Sequence, residues 1–414
     1  MKDRSVSRRA VLGGAAAGLA GAWLAPTAGS ASTGGGSIER AASRFDRALV
    51  GLRRDIHRHP EVAGEEVRTS AVVARWLREA GLSVTTGIGG HGVVGVLSGA
   101  GPGPTVAYRA DMDAVPPDEQ IGGGTTLAHV CGHDIHTTVG VGIAQVLSSL
   151  RHRLSGRIVF VFQPGEESLT GAAAMLSDHV LDRFRPREIH ALHCGPFPVG
   201  EFIVTPGTGL PGQDRGTISL TGPDAAARAD QLAAAINALA TVPRPSGPAD
   251  LERLVDEVQM PHGPLERFVF MQAQPVPTAA GVDVRFSYRC WPENRYVEVR
   301  QAIGRLGPAV FPNDPFPALV TPERDGHALE RYLHRTVGPD RTGVMHAAIP
   351  YSGEDFSLFL KRIPGTYSFL GVRRPGSGIE TSYPHYITFD PDERAIGYGV
   401  RAMAGWLATR AGAS

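Results

Sequence analysis

Four short stretches of this chain concentrate side chains that bind metals or move protons. Tyr108-Arg109-Ala110-Asp111-Met112-Asp113, Phe162-Gln163-Pro164-Gly165-Glu166-Glu167 and Leu192-His193-Cys194-Gly195-Pro196 each lie at the end of an apolar, strand-like run. The fourth, His129-Val130-Cys131-Gly132-His133-Asp134-Ile135-His136, precedes a helix-like one. Singly, each has an ordinary reading. His193 reads as a packed or surface histidine, Glu166-Glu167 as a solvated turn, and Cys131 as a small buried hydrophobe. Jointly they are hard to explain by packing, because sites in open α/β sheets assemble outside the carboxyl ends of strands. Cysteine, histidine and carboxylate together are the ligand set of zinc or a similar divalent cation.

The elements that would carry these clusters follow from apolar spacing. Phe45, Leu49, Leu52 and Ile56 recur at helical intervals, so 43–57 reads as an amphipathic helix, and 69–80 as a second that stops at Gly81. Strands are predicted over 92–97 and 105–108, a helix over about 137–150, a buried strand over 157–162, and a short strand ending at His193. Strands alternating with helices imply an α/β domain with a central sheet. After about Gly212 the composition shifts to a small α+β insert. It has strands at 217–220, 268–270 and 282–288, an Ala-rich helix at 225–240, a Pro-rich interruption, and a helix through Val297, Val299 and Ile303. The α/β pattern resumes after Pro312, and a final helix includes 395–407. No internal repeat is present.

The series R-A-D-M-D-A-V-P (109–116), H-V-C-G-H-D-I-H (129–136), F-Q-P-G-E-E (162–167), L-H-C-G-P (192–196), E-D-F-S (354–357) and P-H-Y-I-T-F-D (384–390) resembles one family of metallopeptidases. That family, the amidohydrolase branch of peptidase family M20, contains hippurate hydrolase, N-acyl-amino-acid amidohydrolases and auxin-conjugate hydrolases. R-R-D-I-H-R-H-P-E (53–61) fits as well. The resemblance implies a zinc-peptidase-like α/β catalytic domain, with a central mixed sheet flanked by helices, over 43–212 and 313–414. It also implies a smaller, shortened α+β lid inserted at 213–312. It makes Cys131, His133, Glu167, His193 and His385 the ligands of two divalent ions, zinc, manganese or similar. Glu166 becomes the general acid/base and Asp113 a carboxylate that orients the site, with Asp111, His129 and His136 in support.

The chemistry implied is amide hydrolysis of an N-acyl amino acid or similar small conjugate. A metal lowers the pKa of bound water from about 15.7 toward about 7, and Glu166 would take the water proton and pass it to the leaving amine. The insert departs from the family pattern. Where relatives carry G-x-G-G-H, this chain reads Leu220-Thr221-Gly222-Pro223-Asp224-Ala225, without the His that stabilises the transition state across a dimer interface. Where relatives carry N-x-I-P it reads Gln274-Pro275-Val276-Pro277-Thr278, without the Asn. Losing an oxyanion donor costs about 10²–10³ in rate, so His262, Arg215 or Arg285 are candidate substitutes. The alternatives are a dipeptidase or aminopeptidase of the same superfamily, and a catalytically weakened, metal-loaded binding protein. The resemblance also implies a homodimer through the insert, the part in which this chain differs.

Composition narrows the partner. Lys+Arg and Asp+Glu are both 41, so there is no basic excess for nucleic acid or an anionic membrane, and a small molecule is expected instead. Ser7-Arg8-Arg9-Ala10-Val11-Leu12 resembles a twin-arginine export signal. The apolar run 10–25 and the small residues 28–31 complete a signal over 1–31, too short and too rich in Gly and Ala for stable membrane insertion. A linker is expected over 32–42. Three cysteines, an odd number without a spacing pattern, argue against a disulfide framework.

Overall fold

A computed structural model describes residues 35–412. The signal expected over 1–31 lies outside the described residues. Among those residues no helix is long and apolar enough to cross a membrane, and Cys131, Cys194 and Cys290 are all buried free thiols.

The large body is built on an eight-stranded mixed sheet. Its strands are β1 (Ser83–Ile88), β2 (Gly92–Ser98), β3 (Gly101–Asp111), β4 (Ser155–Gln163), β5 (Ile189–Pro198), β6 (Phe202–Val204), β12 (Thr342–Val344) and β13 (Gly365–Arg373). Their spatial order is β1-β2-β4-β3-β5-β13-β6-β12. The inner four, β4, β3, β5 and β13, run parallel, so their carboxyl ends share one edge. β4 shows why the strands form. Ile158, Phe160 and Phe162 pack into one core and Val159 and Val161 into another, so the apolar run is buried on both faces by the two-residue alternation of a strand. Burying each such phenylalanine contributes about 1.5–3 kcal/mol.

Helices Asp46–His57, Val67–Glu79, His133–Ser149 and Arg394–Ala411 cover the first face, and Gly171–Ser177, Val180–Phe184 and Ser357–Leu360 the second. From β3 the chain crosses one face to β4, then returns over the other face to β5 on the opposite side of β3. Connections leaving in opposite directions open a crevice at the carboxyl ends of these strands, the usual ligand position in such sheets.

A three-stranded antiparallel sheet, β8 (Gly212–Leu220), β10 (Gly281–Trp291) and β9 (Phe268–Thr278), forms the insert, with helices Ala225–Asn237 and Tyr296–Leu306. Ile218, Val284, Phe286 and Tyr288 meet Ala229, Ala233, Val299 and Ile303 in a separate core. A two-stranded ribbon of β7 (Gly209–Leu210) and β11 (Leu319–Val320) ties the ends of the insert together. No further strand follows the Tyr296–Leu306 helix within the insert. The Pro-rich return only touches β8 through bridges at Val310 and Phe316.

Three expectations are corrected. The linker expected over 32–42 contains the helix Gly35–Ala42, because Ala41 and Ala42 are apolar and pack against the large core. The helix expected from 137 begins at His133, putting His133 and Asp134 in its first turn. The strand expected to end at His193 runs to Pro198, because Cys194 and Gly195 pair with Leu370 and Gly371 of β13.

Candidate metal centre

Asp111 is the last residue of β3, Glu166 and Glu167 follow β4, His193 lies in β5, and His133 opens its helix. Gly132 precedes that helix with φ 93, and a Cβ there would approach the Cys194 sulfur to 2.7 Å. Only glycine fits this tight entry, and it brings Cys131 and His133 to the same side. His385 arrives on a loop, in left-handed backbone at φ 71. Its N–H donates to the Val130 carbonyl at 2.7 Å, and its own carbonyl accepts from Ile121 at 2.7 Å. Two backbone bonds thus hold a conformation that costs a non-glycine residue of order 1–3 kcal/mol.

The turn after β4 is pinned from below. Gly165 N–H donates to Glu66 at 2.7 Å and Glu167 N–H to Asp113 Oδ2 at 2.9 Å. Glu166 and Glu167 are thereby projected toward His133, whose Nε2 lies 3.7 Å from Glu166 Oε2 and 3.6 Å from Glu167 Oε1. His385 Nε2 lies 3.3 Å from Glu167 Oε2, and Cys131 Sγ lies 3.6 Å from His193 Nε2.

All five expected ligands therefore converge. Cys131, His133 and His193 form one group, and Cys131, Glu167 and His385 another, the donor atoms within each lying within 4.8 Å of one another. The Cys131 sulfur is common to both. Second contacts aim the imidazoles. His193 Nδ1 donates to the Cys194 carbonyl at 2.7 Å and His133 Nδ1 to the Asp113 carbonyl at 2.9 Å, leaving each Nε2 facing the cluster. His133 Nε2 and Glu167 Oε1 are buried without a hydrogen-bond partner, a costly state that a shared cation removes.

The charges agree with cation binding. Burial alone would lower the His133 pKa, but the Asp111, Asp113 and Glu167 carboxylates outweigh it and hold it at about 10, so this pocket favours positive charge. Burial, then the neighbouring Glu167, pushes the Cys131 thiol well up, so a thiolate there needs a cation beside it. Burial raises Glu166 well above the usual carboxylate range, with Glu354 and Glu167 adding to it. For Glu167, His385 overcomes the burial penalty and holds the carboxyl down at about 2.

The supporting residues divide. Asp111 Oδ1 accepts from His136 Nδ1 at 2.6 Å, and His136 Nε2 accepts the Cys194 N–H at 2.7 Å, so this pair braces β5. His129 faces away, in a buried group with Asp134 and His57. Asp134 forms an ion pair with Arg53 Nε and a hydrogen bond with His57 Nδ1, both at 2.8 Å, which anchors the helix carrying His133.

The centre opens into a cavity of about 480 Å³ lined by Glu166, Glu167, His193 and His385, with Tyr351 and Phe369 among its apolar walls. A larger cavity, about 1050 Å³, lies between the Asp46–His57 and Arg394–Ala411 helices and contains none of these residues. Of the substitutes proposed for the missing lid His, His262 is fully on the surface beside Glu266, and neither Arg215 nor Arg285 lines the central cavity. Arg289 does. Its Nη2 donates to Gln213 at 3.3 Å, while Nη1 is buried without a partner against Gly353, where any Cβ would collide with it. Burial pulls its pKa to about 10, with Glu166 opposing. Arg289 belongs to none of the sequence motifs. Its only signal is strand alternation, which puts it on the face of β10 opposite Tyr288.

Residues 107–409 match the family model described as Peptidase family M20/M25/M40. The N-acetylcysteine deacetylase of Bacillus subtilis is 30% identical over 386 residues, 85% of this chain and 94% of the relative. Over a shorter stretch of 136 residues, 31% of this chain and 35% of the relative, identity with Probable hydrolase sll0100 of Synechocystis sp. reaches 48%. Among solved structures, the Bacillus subtilis YXEP protein, titled a dinuclear metal binding peptidase from the M20 family, superposes with a TM-score of 0.67 at 25% identity. That match covers 89% of this chain and 99% of the other.

Proposed function

The chain belongs to peptidase family M20/M25/M40, and on that premise we propose that it hydrolyses the amide bond of N-acyl amino acids or similar small conjugates. The observation that carries this reading is a buried carboxylate, Glu166, in one cavity with a Cys/His/carboxylate donor set and a guanidinium, that of Arg289, whose Nη1 has no partner. Relatives support the substrate class, one of them being an N-acetylcysteine deacetylase.

Cys131, His133, Glu167, His193 and His385 would hold two divalent ions, zinc or manganese. When bound, such a pair supplies Lewis acidity, lowering the pKa of water toward about 7 and polarising the scissile carbonyl. Glu166 accepts the proton of the attacking water and delivers it to the departing nitrogen, a task suited to a carboxyl that burial holds above the usual carboxylate range. Asp113 keeps His133 and the Glu167 turn in register. Arg289 pairs with the substrate carboxylate, which satisfies its free Nη1 and fixes which amide faces Glu166. The twin-arginine-like segment at 7–12 supports export of the folded enzyme.

The test is turnover. Purified protein loaded with Zn²⁺ or Mn²⁺ is offered N-acyl amino acids and dipeptides, and release of free amino acid is followed before and after chelation. The reading expects N-acyl amino acids to be cleaved and activity to vanish with the metal. Binding without turnover across the panel overturns it, and cleavage of dipeptides alone moves the assignment to a dipeptidase.

A further inference from the structure

The insert's sheet has one covered face and one open face. On β10, Val284, Phe286 and Tyr288 enter the insert's core, so Arg285, Ser287 and Arg289 project from the other side, together with Asp283, which accepts from the Ser219 hydroxyl at 2.6 Å. On β8, Gly216 and Ile218 are buried and Arg215 and Thr217 project with the β10 arginines. The register places Arg215 opposite Ser287, Arg285 opposite Thr217, and Arg289 opposite Gln213. Arg215 is therefore the diagonal neighbour of both Arg285 and Arg289, at about 7–8 Å. Arg244, from the loop after the Ala225–Asn237 helix, joins Arg215 and Arg285 around a cavity of about 540 Å³.

No Asp or Glu lines that cavity. Among the described residues, Arg215, Arg244 and Arg285 donate no side-chain hydrogen bond and form no ion pair. Other arginines of the same insert are matched, Arg300 to Asp214 at 2.7 Å and Arg267 to Glu298 at 2.6 Å. Exposed like charges held as diagonal neighbours repel weakly, and an anion between them turns that repulsion into attraction. The outer cavity also leads to the centre. It shares Arg215 with an intermediate cavity of about 570 Å³, whose walls also carry Asp214, paired to Arg300, and Asp314, and which in turn shares Gln213, Glu119 and Glu167 with the central one.

We propose that this arginine face is an anion subsite for the part of the substrate beyond the carboxylate held by Arg289, and that the enzyme acts on acyl conjugates of acidic amino acids or short acidic peptides. The proposal rests on the amidohydrolase reading. Successive carboxylates on the leaving amine would meet Arg289 and then the Arg215, Arg285 and Arg244 group, while the acyl end occupies the apolar side of the central cavity.

The experiment compares N-benzoylglycine, N-benzoylglutamate and N-benzoyl-triglutamate on the metal-loaded enzyme, cleaved at the benzoyl amide. The expected result is kcat/KM rising along the series, by about tenfold or more from first to last, the gain lying in KM and shrinking in 0.5 M NaCl. In Arg215→Gln/Arg285→Gln the ratio of triglutamate to glycine substrate falls toward one. A wild-type ratio near one, or a ratio unchanged in the double variant, overturns the subsite. If none of the three is cleaved, the amidohydrolase reading fails, and the face is judged by fluorescein-labelled triglutamate binding. Salt-sensitive binding lost in the double variant sustains the anion subsite, and no binding removes it as well.

Discussion

The backbone N–H of Glu167 donates to the Asp113 carboxylate at 2.9 Å, so an acidic side chain at the end of one strand fixes the turn after the next. The Asp113 carbonyl meanwhile receives His133 Nδ1 at 2.9 Å. Removing the side chain spares the second contact and releases the first. In Asp113→Ala, metal affinity is expected to fall about 10–100-fold, with Asp113→Asn closer to wild type because an acceptor oxygen remains. Metal titration with a competing chelator reads the change. Equal affinity in the Ala variant refutes the assigned role.

Glu166 stands outside both donor groups that contain the Cys131 sulfur, though it forms a third group with His133 and Glu167, and its assigned role is that of the base. Glu166→Gln should therefore keep its bound metal while kcat drops by about 10²–10⁴, the usual share of general acid–base catalysis. Metal content by elemental analysis, taken beside steady-state rates, separates this outcome from a ligand loss. A variant that loses metal in proportion to activity would make Glu166 a ligand.

Much of this arrangement was legible in the chain, and what escaped has physical reasons. The apolar run of β4 and the helix-spaced residues of Asp46–His57 announce themselves because local burial patterns set them. β13 did not, although it lies inside the sheet. Gly365–Arg373 mixes Gly, Thr, Ser and Tyr, and its strand character comes from pairing with β5 and β6 far away in sequence. The same pairing carries β5 past His193, which local reading took as the strand's end. His385 was found through its motif alone, since its position depends on backbone bonds to Val130 and Ile121 that no local spacing encodes. Arg289 looks like any outward-facing strand residue until Gly353 and the cavity are seen around it.

That guanidinium gives the next test. Its Nη1 lacks a partner in the cavity that holds Glu166, so a substrate carboxylate gains a charge-assisted bond of about 1.5–3 kcal/mol there. Arg289→Gln should raise KM for an N-acyl amino acid about 10–100-fold and change KM for the corresponding N-acyl amino-acid amide far less. Equal penalties for acid and amide would mean that Arg289 shapes the cavity without reading the carboxylate.

His190 supplies a prediction about stability that is separate from the centre. Its Nδ1 and the Thr366 hydroxyl lie 2.9 Å apart, its Nε2 has no hydrogen-bond partner, and its ring meets Trp406 edge-on at 5.5 Å inside the sheet. Burial depresses its pKa to about 4, against a weaker opposing pull from Glu188. In the unfolded chain the value is about 6.5. Above that pH the ring is neutral in both states and costs nothing. Between about 6.5 and 4 the unfolded chain takes up a proton that the native state refuses, so stability falls as pH falls, and the slope ends near 4. A gap of about 2.5 units at about 1.4 kcal/mol each gives a loss of about 3.5 kcal/mol across that window. Urea unfolding of metal-free wild type and His190→Gln at pH 7.5 and pH 4.5 isolates the effect, because other groups titrate alike in both proteins. The variant should lose less stability on acidification than wild type by about 2–3 kcal/mol, and parallel losses would show that His190 is charged in the native state.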